Sequence, residues 1–266
     1  MPLSVRVRWL PKAGNRADEY EDACWPTRSY PIDEPIARLA VADGATESAF
    51  AGRWASQLAR AWGEGALHPD DLTGSLAGEQ TAWQAAVDAL PLPWYAEEKA
   101  RSGAFAALLG MTVDLRGGEQ VGWAALAVGD CVLFHVRGDR LVRSFPADDA
   151  AFFTNRPLLI SSRPERNLSV AANLHRATGS LKAGDRLYLA TDALGQWFMQ
   201  STADGEQPWA ALDGVMMMPS RRRFAAWIDG LRTRSALRND DVTVLRVEWQ
   251  PAAASVIAQA GAVART

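Results

Sequence analysis

Histidine and cysteine are scarce in this sequence. Its 266 residues include three histidines and two cysteines. His68, His135 and His175 are scattered, with no H-x-x-x-H pair, and Cys24 and Cys131 lie in no C-x-x-C pair. A zinc centre and a disulfide framework are therefore both excluded as organising features, and a reducing compartment is the simpler expectation. Charge of one sign is also missing. The formal net charge of −3 provides no basic field for nucleic acid or anionic lipid, so neither is expected as a partner. No apolar run is long enough to span a bilayer. No secretory signal is legible in "MPLSVRVRWL", which alternates Val5, Val7 and Trp9 with Arg6 and Arg8. That pattern predicts a half-buried strand with its arginines in water, and the expected location is cytoplasmic. No G-x-G-x-x-G opens a helix after the first strand, which argues against a dinucleotide-binding unit.

What is present is a set of short apolar runs between two helical blocks. "ARLAVADG" predicts a buried strand. "ATESAFAGRWASQLARAWGEGAL" carries Ala49, Phe50, Trp54, Leu58 and Trp62 at helical spacing, with Gly63 and Gly65 to end the helix. "EQTAWQAAVDAL" and "WYAEEKARSG" predict two further helices around "PLP". From residue 104, four runs punctuated by Gly-Gly and Gly-Asp predict an antiparallel meander. Residues 147–180 are polar and irregular. "LKAGDRLYLATD" returns to a strand, 193–237 is mostly helical, and "DDVTVLRVEW" is a last strand that can pair with the first. No linker or repeat divides the chain. The pattern predicts one α+β domain over residues 1–250, with antiparallel sheets covered by helices, and a flexible tail over 251–266. Trp54, Trp62, Trp83 and Trp227 read as core anchors, and "SRRRF" at 220–224 as a solvated helix start.

Carboxylates recur at the strand ends: Glu21-Asp22 before "ACW", Asp43 after "RLAVA", Asp130 after "AALAVG", Asp192 after "RLYLAT", and Asp240-Asp241 before "VTVLRV". One such residue is ordinary turn chemistry. Several in one domain are gathered by the sheets, and they repel unless a cation neutralises them. An oxygen-only cluster suits Mg²⁺ or Mn²⁺, and a pair of such ions can activate water and clamp a phosphate.

Six segments, in order, resemble the metal-dependent Ser/Thr protein phosphatases of the PP2C (PPM) type. They are "NRADEYEDA", "VADGAT", "SGAFAALL", "AVGDCVLFHVRGDRLV", "LKAGDRLYLATDALGQW" and "RNDDVTVLRVEW". The resemblance, to a divergent bacterial-type member, implies a four-layer αββα sandwich: two antiparallel sheets flanked by helix pairs. It implies that Asp43 bridges two Mn²⁺ or Mg²⁺ ions, one also held by Glu21 and the Gly44 carbonyl, the other by Asp192 and Asp240. Asp22 would orient water, and Arg16 would grip the substrate phosphate. Water between the ions would attack phosphorus directly, releasing phosphate from a phosphoserine or phosphothreonine protein. The implied partners are that phosphoprotein and a cognate Ser/Thr kinase or its targets.

The sequence also departs from the family pattern. Arg16 lies five residues before Glu21 where the family has four. Ala45, Thr46 and Glu47 follow Asp43-Gly44 in place of glycines and, in some members, histidine. Ala193 replaces a glycine, Val132 an arginine, Gln196 an aspartate and Asp241 an asparagine. A neutral Gln196 would leave only a weak third metal site at Asp130. The alternative reading is a catalytically weak regulatory or phosphoprotein-binding module.

Overall fold

A computed structural model describes residues 3–117, 120–154 and 157–250. The expected tail, 251–266, lies outside these residues. Among the described residues, twelve strands form two sheets. In the first, β3 (Tyr30–Ile32), β1 (Leu3–Leu10), β12 (Val242–Trp249), β11 (Arg186–Ala190), β7 (Val132–Arg137) and β8 (Arg140–Phe145) run side by side in that order. In the second the order is β10 (His175–Lys182), β6 (Gln120–Val128), β5 (Phe105–Asp114), β4 (Ile36–Gly44) and β2 (Ala23–Trp25), with the two-residue β9 (Ile160–Ser161) also pairing β5. All pairings are antiparallel. The first and last strands pair from Leu3↔Trp249 to Leu10↔Val242.

The central strands bury both faces, which is why they read as continuous apolar runs rather than alternating ones. In β4, Leu39 and Val41 enter the core between the sheets, while Ala40 and Ala42 pack under helices. In β12, Leu245, Val247 and Trp249 face the other sheet, while Val242 and Val244 face outward under helices. Three apolar layers thus separate four structural ones. The helices α1 (Ala51–Glu64), α2 (Leu72–Asp88) and α3 (Trp94–Arg101) cover the second sheet, through Trp54, Leu58, Trp62, Leu76 and Trp83 among others. The helices α4 (Asp192–Ala203), α5 (Pro208–Met216) and α6 (Arg221–Thr233) cover the first, through Phe198, Trp209, Leu212, Phe224 and Ile228. This is the expected α+β αββα sandwich. Trp227 is only partly buried, and Arg221, Arg222 and Arg223 are exposed at the start of α6. No helix among the described residues is long and apolar enough to cross a membrane.

Two expectations are corrected. Arg8 is not in water: it is 7% exposed and donates to the carbonyls of Val7, Met216 and Met218. The outward face of β1 is covered by α5 and its C-terminal turn, and the guanidinium satisfies carbonyls that the helix end leaves open. The four middle runs are also not one meander. Strands β5 and β6 pair in the second sheet, β7 and β8 in the first. The Gly129-Asp130 link crosses from sheet to sheet. Gly129 has φ +93°, and a Cβ there would lie 2.5 Å from that of Ala107. Asp130 is therefore held at the end of the sandwich instead of capping a hairpin.

Candidate metal centre

Strand register brings the acidic residues to that end. Ala190 pairs with both Val132 and Val244, so Asp130, Asp192 and Asp240 all lie two to four residues beyond one row of the first sheet. Asp43 pairs with Ala107 in the second sheet, where Leu108 pairs with Val128, the last residue before the crossover. Carboxylate oxygens of Asp43, Asp130 and Asp192 lie within 4.8 Å of one another. Asp192 is the first residue of α4, where the helix dipole favours negative charge. Gly44 allows α1 to approach: a Cβ there would lie 2.7 Å from the Glu21 carbonyl oxygen and 2.8 Å from the Ala51 carbonyl carbon. Glu21 is thereby held beside the Asp43-Gly44 strand end.

The electrostatics are those of crowded anions. Burial, then the charges of Asp22, Asp192, Asp130 and Asp240, push the Asp43 carboxyl well above the usual carboxylate range. Burial and the Asp192 charge push Asp130 up to about 7. Burial also raises Asp192; Arg238 opposes that rise and Asp240 adds to it. Asp192 Oδ1 is buried with no hydrogen-bond partner. Such an oxygen-only set, with one oxygen unpartnered, fits a hard divalent cation.

Around this centre the other expected residues separate into distinct positions. Asp22 is buried, and its Oδ2 accepts from the hydroxyls of Thr191 and Thr243, both at 2.8 Å. Tyr20 donates in turn to the Thr243 hydroxyl. Burial raises the Asp22 carboxyl well above its usual range against these hydrogen bonds. Glu21 is raised by burial, opposed by a hydrogen bond from Thr46 and by Lys12, whose Nζ is 3.9 Å away. Arg16 is not brought to the cluster. Its side chain is 78% exposed, and its guanidinium forks onto Asp18 at 2.9 and 2.7 Å. The guanidinium found at the centre belongs to Arg238, which bonds Asp192 and lies 3.2 Å from Asp240.

Sequence reasoning missed Arg238, Thr191, Thr243 and the part played by Asp241. Asp241 accepts the backbone N–H groups of Lys12 and Glu21, at 2.8 and 2.7 Å, and so ties the segment carrying Glu21 to the start of β12. Two N–H donors suit an acceptor-only carboxylate, which accounts for aspartate in place of the family asparagine. An open cavity of about 890 Å³ flanks Glu21 and Asp22, walled by Trp9, Trp25, Phe50 and Trp83.

No family model matches the sequence, and no curated protein matches it. Solved structures do. The serine/threonine phosphatase PstP/Ppp of Mycobacterium tuberculosis is 19% identical, with a TM-score of 0.57 over 94% of this chain and 100% of that one. The PstP catalytic domain in complex with two manganese ions gives 0.52 at 19% identity, over 92% and 98%. PppA, a regulatory component of T6SS in Pseudomonas aeruginosa, gives 0.52 at 18%, over 93% and 98%. The chain has the fold of the PP2C-type phosphatases.

Proposed function

We propose that residues 1–250 form a divergent PP2C-type protein phosphatase that hydrolyses phosphoserine and phosphothreonine with the help of two divalent ions, Mn²⁺ or Mg²⁺. One observation carries this reading. Three carboxylates converge at the strand ends of a PP2C fold, with a buried Asp192 oxygen left unpartnered. A purely structural cluster of this kind would destabilise the chain without return. In this reading Asp43, Glu21, the Gly44 carbonyl, Asp192 and Asp240 would hold the ions, with Asp43 a ligand common to both. Bound ions would lower the pKa of water and neutralise the phosphate. Asp22, fixed by Thr191 and Thr243, would orient the attacking water. Asp130 would hold a third ion only weakly, because the neutral Gln196 would add no charge to such a site. The substrate class is a phosphorylated protein, the target of a Ser/Thr kinase, in the cytoplasm. For Arg16 to reach its phosphate, the fork on Asp18 has to open.

A second reading, a weakly catalytic regulatory module, is favoured by one feature: Arg238 engages two of the carboxylates that metal would need. Hydrolysis of an aryl phosphate and of a phosphothreonine peptide, in EDTA and then in excess Mn²⁺, decides between the two. EDTA should abolish turnover and Mn²⁺ restore it. Equal rates under both conditions would refute metal dependence, and no turnover under either would favour the regulatory module.

A further inference from the structure

Arg238 has no part in the catalytic reading above, yet it lies at the centre that reading uses. Its backbone is fixed. The Asp240 N–H donates to the Arg238 carbonyl at 3.0 Å, Arg232 donates to the Asp240 carbonyl at 2.7 Å, and Asn239 Oδ1 accepts the Ala13 N–H at 2.7 Å. Its side chain is less constrained, at 40% exposed. It meets the acids differently from a structural arginine. Arg137 forks onto a single carboxylate, that of Asp185, through Nε and Nη2 at 2.8 and 2.6 Å. Arg238 uses Nη2 alone to span two carboxylates, Asp192 and Asp240. A fork locks one geometry, whereas a single nitrogen shared between two acids is more easily displaced. Nor does one positive charge balance the centre, since Asp43, Asp130 and Asp192 crowd together and Asp192 Oδ1 stays unpartnered.

We infer that Arg238 serves twice: it is the counter-cation of the metal-free centre, displaced from Asp192 and Asp240 by a divalent ion, and once displaced it is the guanidinium that binds the substrate phosphate. The inference rests on the proposed metal centre. Its first half follows from shared ligands, because the two carboxylates that Nη2 engages, Asp192 and Asp240, are the ones assigned to an ion. Its second half follows from placement. Arg16 is occupied by Asp18 at the surface, whereas the anchored 238–240 loop keeps the Arg238 guanidinium at the rim of the centre. There a metal-neutralised pair of carboxylates no longer holds it, and the forked donors match phosphate oxygens.

Calorimetry on the full chain tests both halves without relying on turnover. Mn²⁺ is titrated into metal-free wild type, Arg238→Ala and Arg238→Lys, and inorganic phosphate is then titrated into the Mn²⁺-loaded proteins. Arg238→Ala should bind Mn²⁺ about 10-fold more tightly, since a competing ion pair is gone, and phosphate about 10-fold more weakly. Arg238→Lys, which keeps the charge without the fork, should stay near wild type for Mn²⁺ and fall between the two for phosphate. Unchanged Mn²⁺ affinity in Arg238→Ala, or unchanged phosphate affinity, overturns the inference while leaving the metal centre standing. Absence of Mn²⁺ binding in all three proteins overturns the metal centre as well.

Discussion

Strand β11 has a carboxylate just beyond each end, Asp185 buried and Asp192 half-buried, and the two live in opposite surroundings. Before it, Asp185 accepts the Arg137 fork, the Lys182 N–H at 2.9 Å and His135 Nε2 at 3.0 Å. Burial pushes its pKa up, but Arg137, Lys182 and His135 outweigh burial and hold it at about 2. After it, Asp192 faces Asp43 and Asp130, keeps one oxygen unpartnered, and is raised. One strand is thus flanked by a carboxylate satisfied for stability and by another that crowds with two more and keeps an oxygen unpartnered. The second group is held at a cost to stability, which is the arrangement that a cation-binding site would require.

The largest effect should come from breaking the unsatisfied end. Asp43→Asn should lower Mn²⁺-dependent turnover of a phosphothreonine peptide on the order of 100-fold or more, because that residue is assigned to both ions. A loss under threefold would remove Asp43 from the centre. Next comes the satisfied end. Asp185→Ala should cost about 3 kcal/mol in urea unfolding, since it strips the partner from Arg137 and the buried His135, while leaving Mn²⁺ affinity unchanged. Asp43→Asn in EDTA should do the reverse and stabilise the chain by roughly 1 kcal/mol, through relief of repulsion.

The pH dependence sharpens the same contrast. Asp130 is raised to about 7 in the folded chain, above its unfolded value. The native state therefore takes up its proton first as pH falls, and metal-free stability should rise from about pH 7 toward pH 4. Asp130→Asn should flatten that rise. Asp185 is lowered to about 2, so its contribution is present above its unfolded pKa and is lost as pH falls from about 4 toward 2. Unfolding midpoints measured across pH in EDTA check both signs. The smallest effect belongs to Arg16→Ala. With its guanidinium on exposed Asp18, KM for the peptide should change less than about threefold, as for other surface ion pairs. A larger rise would return Arg16 to the phosphate.

Much of this was legible in the residues. "RLAVA" and "VTVLRV" announce strands buried on both faces, and acids at strand ends survive as a pattern because sheets collect strand ends. What was not legible depends on packing between distant segments. Arg8 sits on the polar side of an alternating strand, and only the placement of α5 over that side buries it. "VGDC" has hairpin chemistry, yet the chain crosses between sheets there because β10 and β11, each remote in sequence from its partner, pair β6 in one sheet and β7 in the other. Residues 147–180 hide β9 and β10, since "HRATGSLK" pairs along β6 with only Ala177 and Leu181 buried. Arg238 precedes "NDD" by ordinary loop chemistry, and nothing local points it at Asp192, 46 residues away.

Anomalous scattering from crystals soaked in Mn²⁺ tests directly whether the C-terminal end of β11 is a metal centre. Strong peaks should appear with Asp43 as a common ligand, Arg238 moved off Asp192, and at most a weak peak toward Asp130. A soaked crystal with no anomalous peak near Asp43, and with Arg238 still bridging Asp192 and Asp240, would contradict a metal centre there.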